Sequence, residues 1–590
     1  MNSYPPQFLS LESLASRVKT GDRIGIGGAL FSRLPVALVQ EVIRQERKEL
    51  EYVSWSGGIP MELFLAAGSL RKMIFCFSSL DFFGLAPLFR KTLEAGTVEA
   101  EDWTAISLIC ALRAAQARLP SGIFRPALGS AIYAKSGFTR DVQDVFSGET
   151  LAAARSLTLD ACLMHASRAD TDGNVEILGP QHLDESMLGA ARQTLFTVEE
   201  IVAAGKLGHV KGSLIWPRKL VSAISVVPGG AFPSSSPGYY LADYREIAKR
   251  SAVTPFVVGP TNEKRMAGLE AGEKMTASMV NAPALRLHRK TSPVQGPAEA
   301  VELMVHWLSR QFDNSSICSV GAVSPLALTS YLLAKNTHAP GLLILGSNAG
   351  CVDPASRPAL LSLSEPVDMK SAVHWCGGDH AWFRYYLPGH ITHEVVSSAQ
   401  IDRQGRSNTI EIHTSKGVLR LPGQGGMAEV ADVGKNLVFY LPRHTVRNLV
   451  ESVDFAGVAR HFLTATERQS AGLSEGCVRL ITNLAVFEVD PVSRQFKITS
   501  LHPGVTLEEV RLATGFQVES DGDIPVTVVP DPETLRILRE EIDPLGLRFL
   551  ETAIGPERQT MIESILDAEE SLVAELFPTV SPAPPMGRRN

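Results

Sequence analysis

What the sequence lacks excludes several classes of protein. The 590-residue chain has no excess of basic residues, because 56 Lys and Arg stand against 63 Asp and Glu and give a net charge of −7. A broad basic surface is therefore not expected, and no nucleic-acid partner is predicted. The seven cysteines are odd in number and have no CxxC spacing. Neither a disulfide framework nor a structural metal site is expected, and the predicted metal content is none.

Long apolar segments are also missing. No uncharged apolar run reaches the roughly 18 to 20 residues that a membrane span requires. The N-terminal segment MNSYPPQFLSLESLASRVKTGD has no basic stretch followed by an apolar one, which is unlike a secretory signal. We therefore expect a cytoplasmic protein with no membrane partner. Hydrophobic residues make up 45% of the chain, which is enough for sizeable cores, and the length favours more than one domain.

The two halves of the chain begin with a similar pattern. Residues 21–45 (GDRIGIGGALFSRLPVALVQEVIRQ) and residues 315–335 (SSICSVGAVSPLALTSYLLAK) each predict a strand, a glycine-containing turn and a helix. Pro35 and Pro325 are placed at the first helical position, where proline is tolerated. A second apolar strand follows in each half, in residues 50–58 and 341–350. This repeat predicts parallel α/β sheets, whose active sites form beyond the carboxyl ends of the strands.

Composition suggests where the domains end. The predicted first domain spans residues 1–283, and a linker rich in Pro, Ser and basic residues spans 284–297. The predicted second domain spans residues 298–577 and is followed by a Pro-rich tail, 578–590, that we expect to be disordered.

Longer motifs run in order along nearly the whole chain. In the first half they are GIGG (25–28), SSLD (78–81), RPALGS (125–130), HASRADTDGN (165–174) and VPGGAFPSS (227–235). In the second half they are AQIDRQGRSN (399–408), LPGQGGMAEVAD (421–432), RNLVESVDF (447–455), ITNLAVFEV (481–489) and SLHPGVTLEEVRLATGF (500–516). Together they resemble the α and β subunits of class I CoA transferases, fused into one polypeptide.

This resemblance implies both a fold and a class of substrate. It implies two related open-sheet α/β domains of the class I CoA-transferase (NagB/RpiA-like) fold, packed face to face with the active site between them. It also implies an acyl-CoA substrate, so that coenzyme A arrives as part of the substrate and no permanently bound cofactor is expected. A homodimer or higher homo-oligomer is typical of the family.

The loop LPGQGGMAEVAD is the main candidate binding element. Its glycines allow the backbone to approach a ligand closely and to turn N–H groups toward it. The resemblance implies that the loop lies beside the thioester, with the amides of Gly425 and Gly426 as candidate donors to an oxyanion. The alternative is a tight turn that caps the following helix. The predicted contacts to substrate or CoA are Gly27, Gly28, Ser130, Ser347, Gly423, Gln424 and Met427.

A catalytic carboxylate is missing where the resemblance implies one. Transferases of this family use a glutamate in a small-residue turn after a buried strand of the β half. Here the turn reads Gly346-Ser347-Asn348-Ala349-Gly350, with Asn348 at the glutamate position. An amide forms neither an acyl anhydride nor a thioester intermediate. It can still orient a water molecule or bind a carbonyl oxygen.

Three hypotheses follow. The favoured one is a non-transferring relative, similar to the ring-cleaving CoA-ester hydrolases of steroid catabolism or to a decarboxylase. In those hydrolases a glutamate of the α half is catalytic; the matching position here is Ala105, with Glu101 as a neighbouring candidate or simply part of a solvated helix start. The second hypothesis is a true transferase whose nucleophile is Glu365 or Glu429. The third is a degenerate protein that binds CoA esters without turnover.

The segment HWCGGDHAWFRYYLPGH (374–390) is rich in histidine and aromatic residues. Its histidines and Asp379 are a weak zinc signal, because no third clear ligand has the right spacing. Its aromatic side chains are candidates for the wall of an acyl pocket, and packing between domains is the alternative. These aromatic residues are Trp382, Phe383, Tyr385 and Tyr386.

Overall fold

The computed structural model describes residues 7–253, 296–321, 324–346, 350–460, 463–520 and 522–576. The predicted tail, 578–590, and most of the predicted linker, 284–297, lie outside these ranges. Below, "first half" means the described residues up to 253 and "second half" those from 296 onward.

The first half is organised around a ten-stranded sheet, whose main strand order is β1-β13-β11-β9-β2-β3-β4-β5. All neighbours along this order are parallel, and β10 and β12 extend one side of the sheet. Strands β6, β8 and β7 form a separate antiparallel sheet. The strands are β1 (Gln7–Phe8), β2 (Arg23–Ile26), β3 (Leu50–Val53), β4 (Leu70–Phe75), β5 (Glu99–Asp102), β6 (Ser121–Phe124), β7 (Thr139–Gln143), β8 (Thr150–Arg155), β9 (Leu159–Asp170), β10 (Val175–Ile177), β11 (Ala191–Val202), β12 (Leu214–Trp216) and β13 (Ala223–Val226).

Helices cover both faces of this sheet, as parallel strands require. They are α1 (Leu11–Ala15), α2 (Val36–Arg44), α3 (Ile59–Ala66), α4 (Pro87–Ala95), α5 (Ala105–Gln116), α6 (Ala131–Lys135), α7 (Asp184–Ala190) and α8 (Tyr244–Val253). Short 3₁₀ turns are formed by Asp81–Phe83 and Arg218–Leu220.

The second half contains a nine-stranded sheet in the order β17-β16-β15-β14-β18-β23-β25-β26-β27. Its central strands β15, β14, β18, β23 and β25 are parallel, and the outer strands on both sides are antiparallel. The strands of this half are β14 (Ile317–Val320), β15 (Leu343–Leu345), β16 (Cys351–Val352), β17 (His374–Trp375), β18 (His393–Val396), β19 (Gln400–Asp402), β20 (Ser407–Asn408), β21 (Glu411–Thr414), β22 (Gly417–Arg420), β23 (Asn436–Leu441), β24 (Leu449–Val450), β25 (Val478–Thr482), β26 (Ala485–Val489) and β27 (Phe496–Leu501).

The helices of this half include two π-helical turns, Trp382–Tyr386 and Ile537–Ile542, and a 3₁₀ turn, Leu547–Glu551. The α-helices are α9 (Ala300–Ser309), α10 (Pro325–Asn336), α11 (Ser364–Ser371), α12 (Gly378–Ala381), α13 (Met427–Val433), α14 (Ala465–Ser470), α15 (Leu507–Ala513), α16 (Pro532–Arg536) and α17 (Gly555–Leu576). Within the described ranges, no helix combines the length and the apolar character that crossing a bilayer requires.

The predicted repeat is confirmed. The units β2–α2–β3 and β14–α10–β15 have the same order, and each pairs its two strands in parallel. Pro325 is the first residue of α10, whereas Pro35 lies one residue before α2 and caps it. Helix α2 buries its apolar face completely at Leu38 and Val39, and each such side chain contributes about 1.5–3 kcal/mol. Two related α/β domains of the predicted class are therefore present.

Polar contacts join the two halves. The Arg420 guanidinium donates to the carboxylate of Asp102 at the end of β5, with an Nη1–Oδ2 distance of 2.9 Å. The Ser130 hydroxyl donates to the carbonyl of Gly457 at 2.7 Å. Because these groups are largely buried, the contacts fix how the halves face each other.

Candidate functional site

A cavity of about 510 Å³ lies between the two halves. It opens beyond the carboxyl ends of strands from both sheets, where active sites of open α/β sheets are expected. The lining residues one or two positions beyond the ends of β3, β4, β14, β15 and β18 are Trp55, Phe77, Gly321, Gly346 and Ser397. The arrangement places one ligand site at the junction of the two domains.

The glycine-rich loop of residues 423–427 forms one wall of this cavity. Gly423 and Gly425 have φ values of +103° and +60°, a region that glycine adopts without strain. A Cβ on Gly426 would lie 2.3 Å from Cζ2 of Trp382, so glycine is required there for packing. The loop therefore needs its glycines both for its turn and for close packing against its neighbours.

The two candidate oxyanion donors differ in their hydrogen bonding. The Gly425 N–H already donates to the carbonyl oxygen of Cys76 at 3.0 Å. In the part of the chain that the structure describes, no group accepts from the Gly426 N–H. Gly423 donates its N–H to the Thr409 carbonyl at 2.9 Å. Of the two amides, that of Gly426 is the one with a donor to offer a ligand.

Gln424 presents an unsatisfied side chain in the same loop. It is 4% exposed, and neither Oε1 nor Nε2 has a hydrogen-bond partner among the described residues. Buried polar atoms are nearly always paired, so such a group indicates a binding position for a ligand or water. Met427 begins α13 and also lines the cavity. The predicted binding residues of this loop are thus brought together at one wall.

The turn expected to hold the nucleophile borders the cavity. Gly346 and Gly350, on the two sides of the turn, both line it. The Gly346 N–H donates to the carbonyl of Cys351 at 2.8 Å and closes the base of the turn. Ser347 and Asn348 lie outside the described residues. Their predicted roles therefore remain predictions.

Glu394 is a cavity residue that the sequence motifs did not indicate. It lies in β18, is 6% exposed and lines the cavity together with Ser319 of the neighbouring strand β14. The two residues face each other in the strand register, and the Ser319 hydroxyl donates to Oε2 of the carboxyl. Burial raises the pKa of Glu394 to about 8, although the Ser319 hydrogen bond acts to lower it. The carboxyl is therefore mainly protonated at neutral pH.

Asp81 and His182 contribute two further polar groups to the cavity. Both have backbones in the left-handed region, with φ values of +54° and +35°, which is unusual outside glycine and common at functional sites. Burial raises the pKa of Asp81 to about 7. Burial, helped by the charge of Arg33, lowers the pKa of His182 to about 3. Asp81 Oδ1 and His182 Nε2 have no partner among the described residues.

His182 is connected to the glycine-rich loop through aromatic contacts. Its ring lies 4.4 Å from the ring of Trp55, centroid to centroid. A Cβ on Gly425 would in turn be 3.7 Å from Trp55 Cζ2. The histidine is thus held beside the loop by packing, and among the described residues its Nε2 is unpaired.

Glu101 lies in β5 and does not line the cavity. Its carboxylate accepts hydrogen bonds from Arg155 at 2.6 Å and from the indole of Trp103 at 2.9 Å, and pairs with Lys72 at 2.8 Å. Burial acts to raise its pKa, but the bonds from Arg155 and Lys72 hold the pKa below its usual value. The geometry is that of a structural ion cluster. Ala105, in contrast, lies at the loop, since its N–H donates to the Gly425 carbonyl at 3.1 Å.

The other predicted contacts of the first half lie away from the cavity lining. Gly27 packs against Met164, and the Gly28 N–H donates to Asp184 Oδ1 at 3.1 Å. Ser130 caps α6 and bonds to the second half, as described above. These three residues have clear packing or capping roles.

Glu365 and Glu429 do not line the cavity. Glu429 is buried, whereas Glu365 is partly buried and lines an adjoining pocket that also contacts Asp81. Burial raises the pKa of each to about 7. Glu365 accepts a hydrogen bond from Ser235 at 2.8 Å, and Glu429 accepts one from Tyr133. Neither carboxyl lines the cavity beside the glycine-rich loop.

The aromatic segment is divided between two environments. Trp382 and Tyr386 line the cavity and stack with ring centroids 4.7 Å apart, whereas Phe383 and Tyr385 do not line it. The proposed acyl-pocket wall is therefore reduced to two of its four residues.

The acidic and histidine side chains around Asp379 are hydrogen-bonded to other residues of the chain. Side-chain ligand atoms of Glu185, Asp379 and His380 come within 4.8 Å of one another. Asp379 Oδ2 already accepts from Ser186 at 2.5 Å and from Arg113 at 3.2 Å, and His380 Nε2 lies 2.8 Å from Glu185. These hydrogen bonds account for the cluster.

Comparison with known proteins assigns the chain to a family. Residues 8–226 and 301–513 match the family model described as Coenzyme A transferase. The chain is 31% identical over 244 residues to one component of the 3-oxoadipate CoA-transferase of Pseudomonas knackmussii, covering 40% of this chain and 85% of that protein. It is 32% identical over 252 residues to the IpdA component of the cholesterol ring-cleaving hydrolase of Mycobacterium tuberculosis, covering 40% and 84%.

The fold is similar to that of a solved protein over nearly its whole length. The acyl-CoA transferase YdiF of Escherichia coli O157:H7 superposes with a TM-score of 0.65 over 91% of this chain and 97% of that one, at 14% identity. At this identity the similarity concerns the fold. The family match spans most of both halves and agrees with the two-domain architecture, so the chain belongs to the Coenzyme A transferase family.

Proposed function

We propose that this protein is an enzyme that binds an acyl-CoA thioester in the cavity between its halves and cleaves it without transferring CoA to a second acid. The reaction is hydrolytic cleavage of a C–C bond or ring, hydrolysis of the thioester, or decarboxylation. In each case no CoA adduct forms on a protein carboxylate. The observation that carries the proposal is the burial of the described carboxyls that line the cavity, Asp81 and Glu394.

A transferase nucleophile must be an anionic carboxylate. The cavity's described carboxyls are Asp81 and Glu394, whose pKa values are raised by burial to about 7 and about 8. Asp81 is thus only partly ionised at neutral pH and Glu394 is mainly a neutral acid. The sequence of the bordering turn, Ser347 to Ala349, adds no carboxylate. These properties support acid catalysis and hydrogen bonding over nucleophilic attack by a side chain.

The remaining groups fit a cleavage reaction. The Gly426 N–H and the Gln424 amide are suited to bind the thioester carbonyl oxygen as it gains negative charge. The neutral His182 ring offers an Nε2, unpaired among the described residues, to position a water molecule. In thioester hydrolysis the water oxygen bonds to the acyl carbon and releases one proton as the C–S bond breaks. A protonated carboxyl supplies the proton that leaves with the CoA thiol and regains a proton from the one that the water released.

The similarities are consistent with either chemistry. One relative is named for CoA transfer and another for ring-cleaving hydrolysis, at nearly equal identity. The names therefore do not discriminate, and the proposal depends on the carboxyls. We also propose a homodimer or higher homo-oligomer as the working assembly, which light scattering of the purified protein tests.

Transfer of CoA is the second candidate, and Glu394 is the residue that favours it. It is a carboxyl of the second half that lines the cavity with Gly346 and Gly350. In its ionised form it would attack the acyl carbon and break the C–S bond, which gives a mixed anhydride and CoA thiolate. The thiolate would then attack the glutamyl carbonyl, release the acyl group as a free carboxylate and leave a glutamyl-CoA thioester. This mechanism requires a fraction of Glu394 to lose its proton in the buried state.

Trapping of the intermediate decides between the candidates. The protein is incubated with a panel of linear, branched and cyclic acyl-CoA esters, with and without acetate, and then treated with borohydride or hydroxylamine before intact mass measurement. We expect an unmodified mass, together with free CoA, CO2 or a ring-opened CoA ester. A covalent modification mapped to any glutamate would refute the non-transferring proposal, and binding without turnover of any ester would indicate a degenerate protein.

A further inference from the structure

The described lining of the cavity contains acidic and neutral polar groups but no permanently charged cation. Among its lining residues that the structure describes, none is Lys or Arg. The neighbouring residues outside the described ranges, 322–323 and 347–349, are Ala, Val, Ser, Asn and Ala in sequence. The cavity's ionisable side chains are Asp81, His182 and Glu394, apart from the phenol of Tyr386 and the thiol of Cys351. The described arginines nearest to the cavity stand outside its lining: Arg33 and Arg357 are already paired with Asp184 and Asp368, and Arg558 acts on Asp81 from beyond the wall. A negatively charged acyl group would therefore meet no cation in the described lining itself.

In the described part of the chain, no charged side chain acts on the pKa of Glu394. On β14 it faces Ser319 and Cys318, on α10 it is near Tyr331, and on the π-helical turn it is near Tyr386. The Ser319 hydroxyl donates to Oε2, and none of the hydrogen bonds in the described residues involves Oε1. The carboxyl is therefore fixed at one oxygen and open at the other.

The rest of the wall is apolar. Trp55 and Phe77 contribute aromatic faces from the first half, and Trp382 does so from the second. Leu183 and Val396 add aliphatic surface. Such a wall favours a hydrocarbon group over a hydrated one, at about 25 cal/mol for each Å² removed from water.

We infer that the cavity takes an acyl-CoA whose acyl group is uncharged and largely apolar, and carries a carbonyl or hydroxyl oxygen that accepts a hydrogen bond from the Glu394 carboxyl. Dicarboxylic acyl groups, whose distal end is a carboxylate, are excluded. This inference rests on the proposed function, because it assigns the substrate class of the same site.

The physical reason is the cost of an unpaired buried charge. A carboxylate that leaves water without a cationic partner loses its hydration and gains little in return. Near Asp81 and Glu394 it also faces acids that can become anionic. A ketone or hydroxyl avoids this cost. It also gains a hydrogen bond from the Glu394 carboxyl, whose Oε2 is already bonded to the Ser319 hydroxyl.

Three non-hydrolysable probes test the inference by calorimetry on the full-length protein. They are 2-oxoalkyl-CoA thioethers of equal chain length: one ends in a methyl group, one has a second ketone in the chain, and one ends in a carboxylate. We expect the diketone probe to bind most tightly, and the carboxylate probe to bind on the order of 100-fold more weakly than the methyl probe. Equal or tighter binding of the carboxylate probe would overturn the inference.

Variants of Glu394 test its role. Glu394→Gln keeps a hydrogen-bond donor and is expected to retain the preference for the diketone probe, whereas Glu394→Leu is expected to lose it. Retention of that preference by a folded Glu394→Leu protein would show that another group binds the ketone. Glu62→Gln is the matched control, because Glu62 is another buried carboxyl with a raised pKa but lies outside the cavity lining.

The inference and the proposed function fail in different ways. If the wild-type protein binds none of the three probes, the proposed function fails and the substrate class with it. If the probes bind with the carboxylate probe preferred, only the substrate class is wrong. A covalent glutamyl adduct with an acyl-CoA refutes the non-transferring chemistry and leaves the order of probe affinities as a separate result.

Discussion

Replacement of Glu394 by glutamine should make the protein less sensitive to alkaline pH. Glu394 is buried beside Ser319, and no cation contributes to its pKa. Folding therefore favours the protonated carboxyl. As the pH rises, the folded protein must either keep this proton or bury a charge, and both lower its free energy of unfolding relative to that at low pH. Glutamine has nearly the same shape and does not ionise in this range.

The size and sign of the effect follow from the pKa. A rise from 4.5 to about 8, at about 1.4 kcal/mol per pKa unit, corresponds to about 5 kcal/mol as an upper value. The folded-state pKa is raised, so this contribution is fully present below pH 4.5. It declines as the pH rises and is lost at about pH 8. The variant should therefore gain stability relative to wild type across this window.

The assay is thermal unfolding of both proteins at a fixed scan rate, in steps from below the ordinary carboxyl pKa to above that of Glu394. The difference between the two apparent Tm values should grow by several degrees with rising pH. Other carboxyls with raised pKa values, such as Asp81 and Glu365, are present in both proteins and cancel in the difference.

A second variant, Glu62→Gln, tests whether the pH range of the effect follows the pKa of the carboxyl that is replaced. Burial raises the pKa of Glu62 to about 7, so the growth of the Tm difference for Glu62→Gln should end about one pH unit earlier. Parallel Tm curves for wild type and Glu394→Gln would refute the claim that Glu394 is buried as a neutral acid. The acid–base part of the proposed function would then lose its basis.

Three further predictions concern other parts of the site. Asp184→Asn should lower the free energy of unfolding in denaturant by about 3–5 kcal/mol, because it leaves Arg33 as an unpaired buried cation. The two side chains are fully buried and 2.7 Å apart. Replacing both by apolar residues should recover most of the lost stability. Gly426→Ala should weaken CoA-ester binding at least tenfold in titrations, because its Cβ would lie 2.3 Å from Trp382, and Trp382→Leu in the same protein should restore binding if sterics are the cause. Asn348→Glu should create acetate-dependent CoA transfer in a coupled assay, with Asn348→Asp as the control that is one methylene shorter; absence of transfer by a folded, CoA-binding variant would mean that the position is misaligned.

The fold could be predicted because its signals are local. The strand–turn–helix–strand pattern occurs within about 30 residues in each half, as for a βαβ unit, and both units form with parallel pairing. The order of the motifs then identified the family. The exact start of a helix is harder to predict. Pro35 is predicted at the first helical position but occupies the N-cap position of α2, because the start of the helix depends on the turn before it.

The cavity could be predicted only in part, because its chemistry depends on distant contacts. Glu394 is one glutamate in an otherwise ordinary strand, and its role depends on Ser319, 75 residues earlier, and on burial. Glu101 is the converse case. The sequence alone leaves it either a catalytic candidate or part of a solvated helix start, and only its contact with Arg155, 54 residues later, makes it part of an ion cluster. No local pattern distinguishes these two cases.

The family alone does not determine the reaction on this scaffold. Transfer and cleavage both need a site that binds the thioester and stabilises an oxyanion, so the glycine-rich loop is compatible with each. They differ in whether a carboxylate beside the acyl carbon is ionised. A single cation near Glu394 would lower its pKa and make it a nucleophile, whereas burial among apolar walls keeps it protonated. Under the proposed function, the surroundings of one carboxyl, more than the sequence of the loop, would therefore decide between the two reactions.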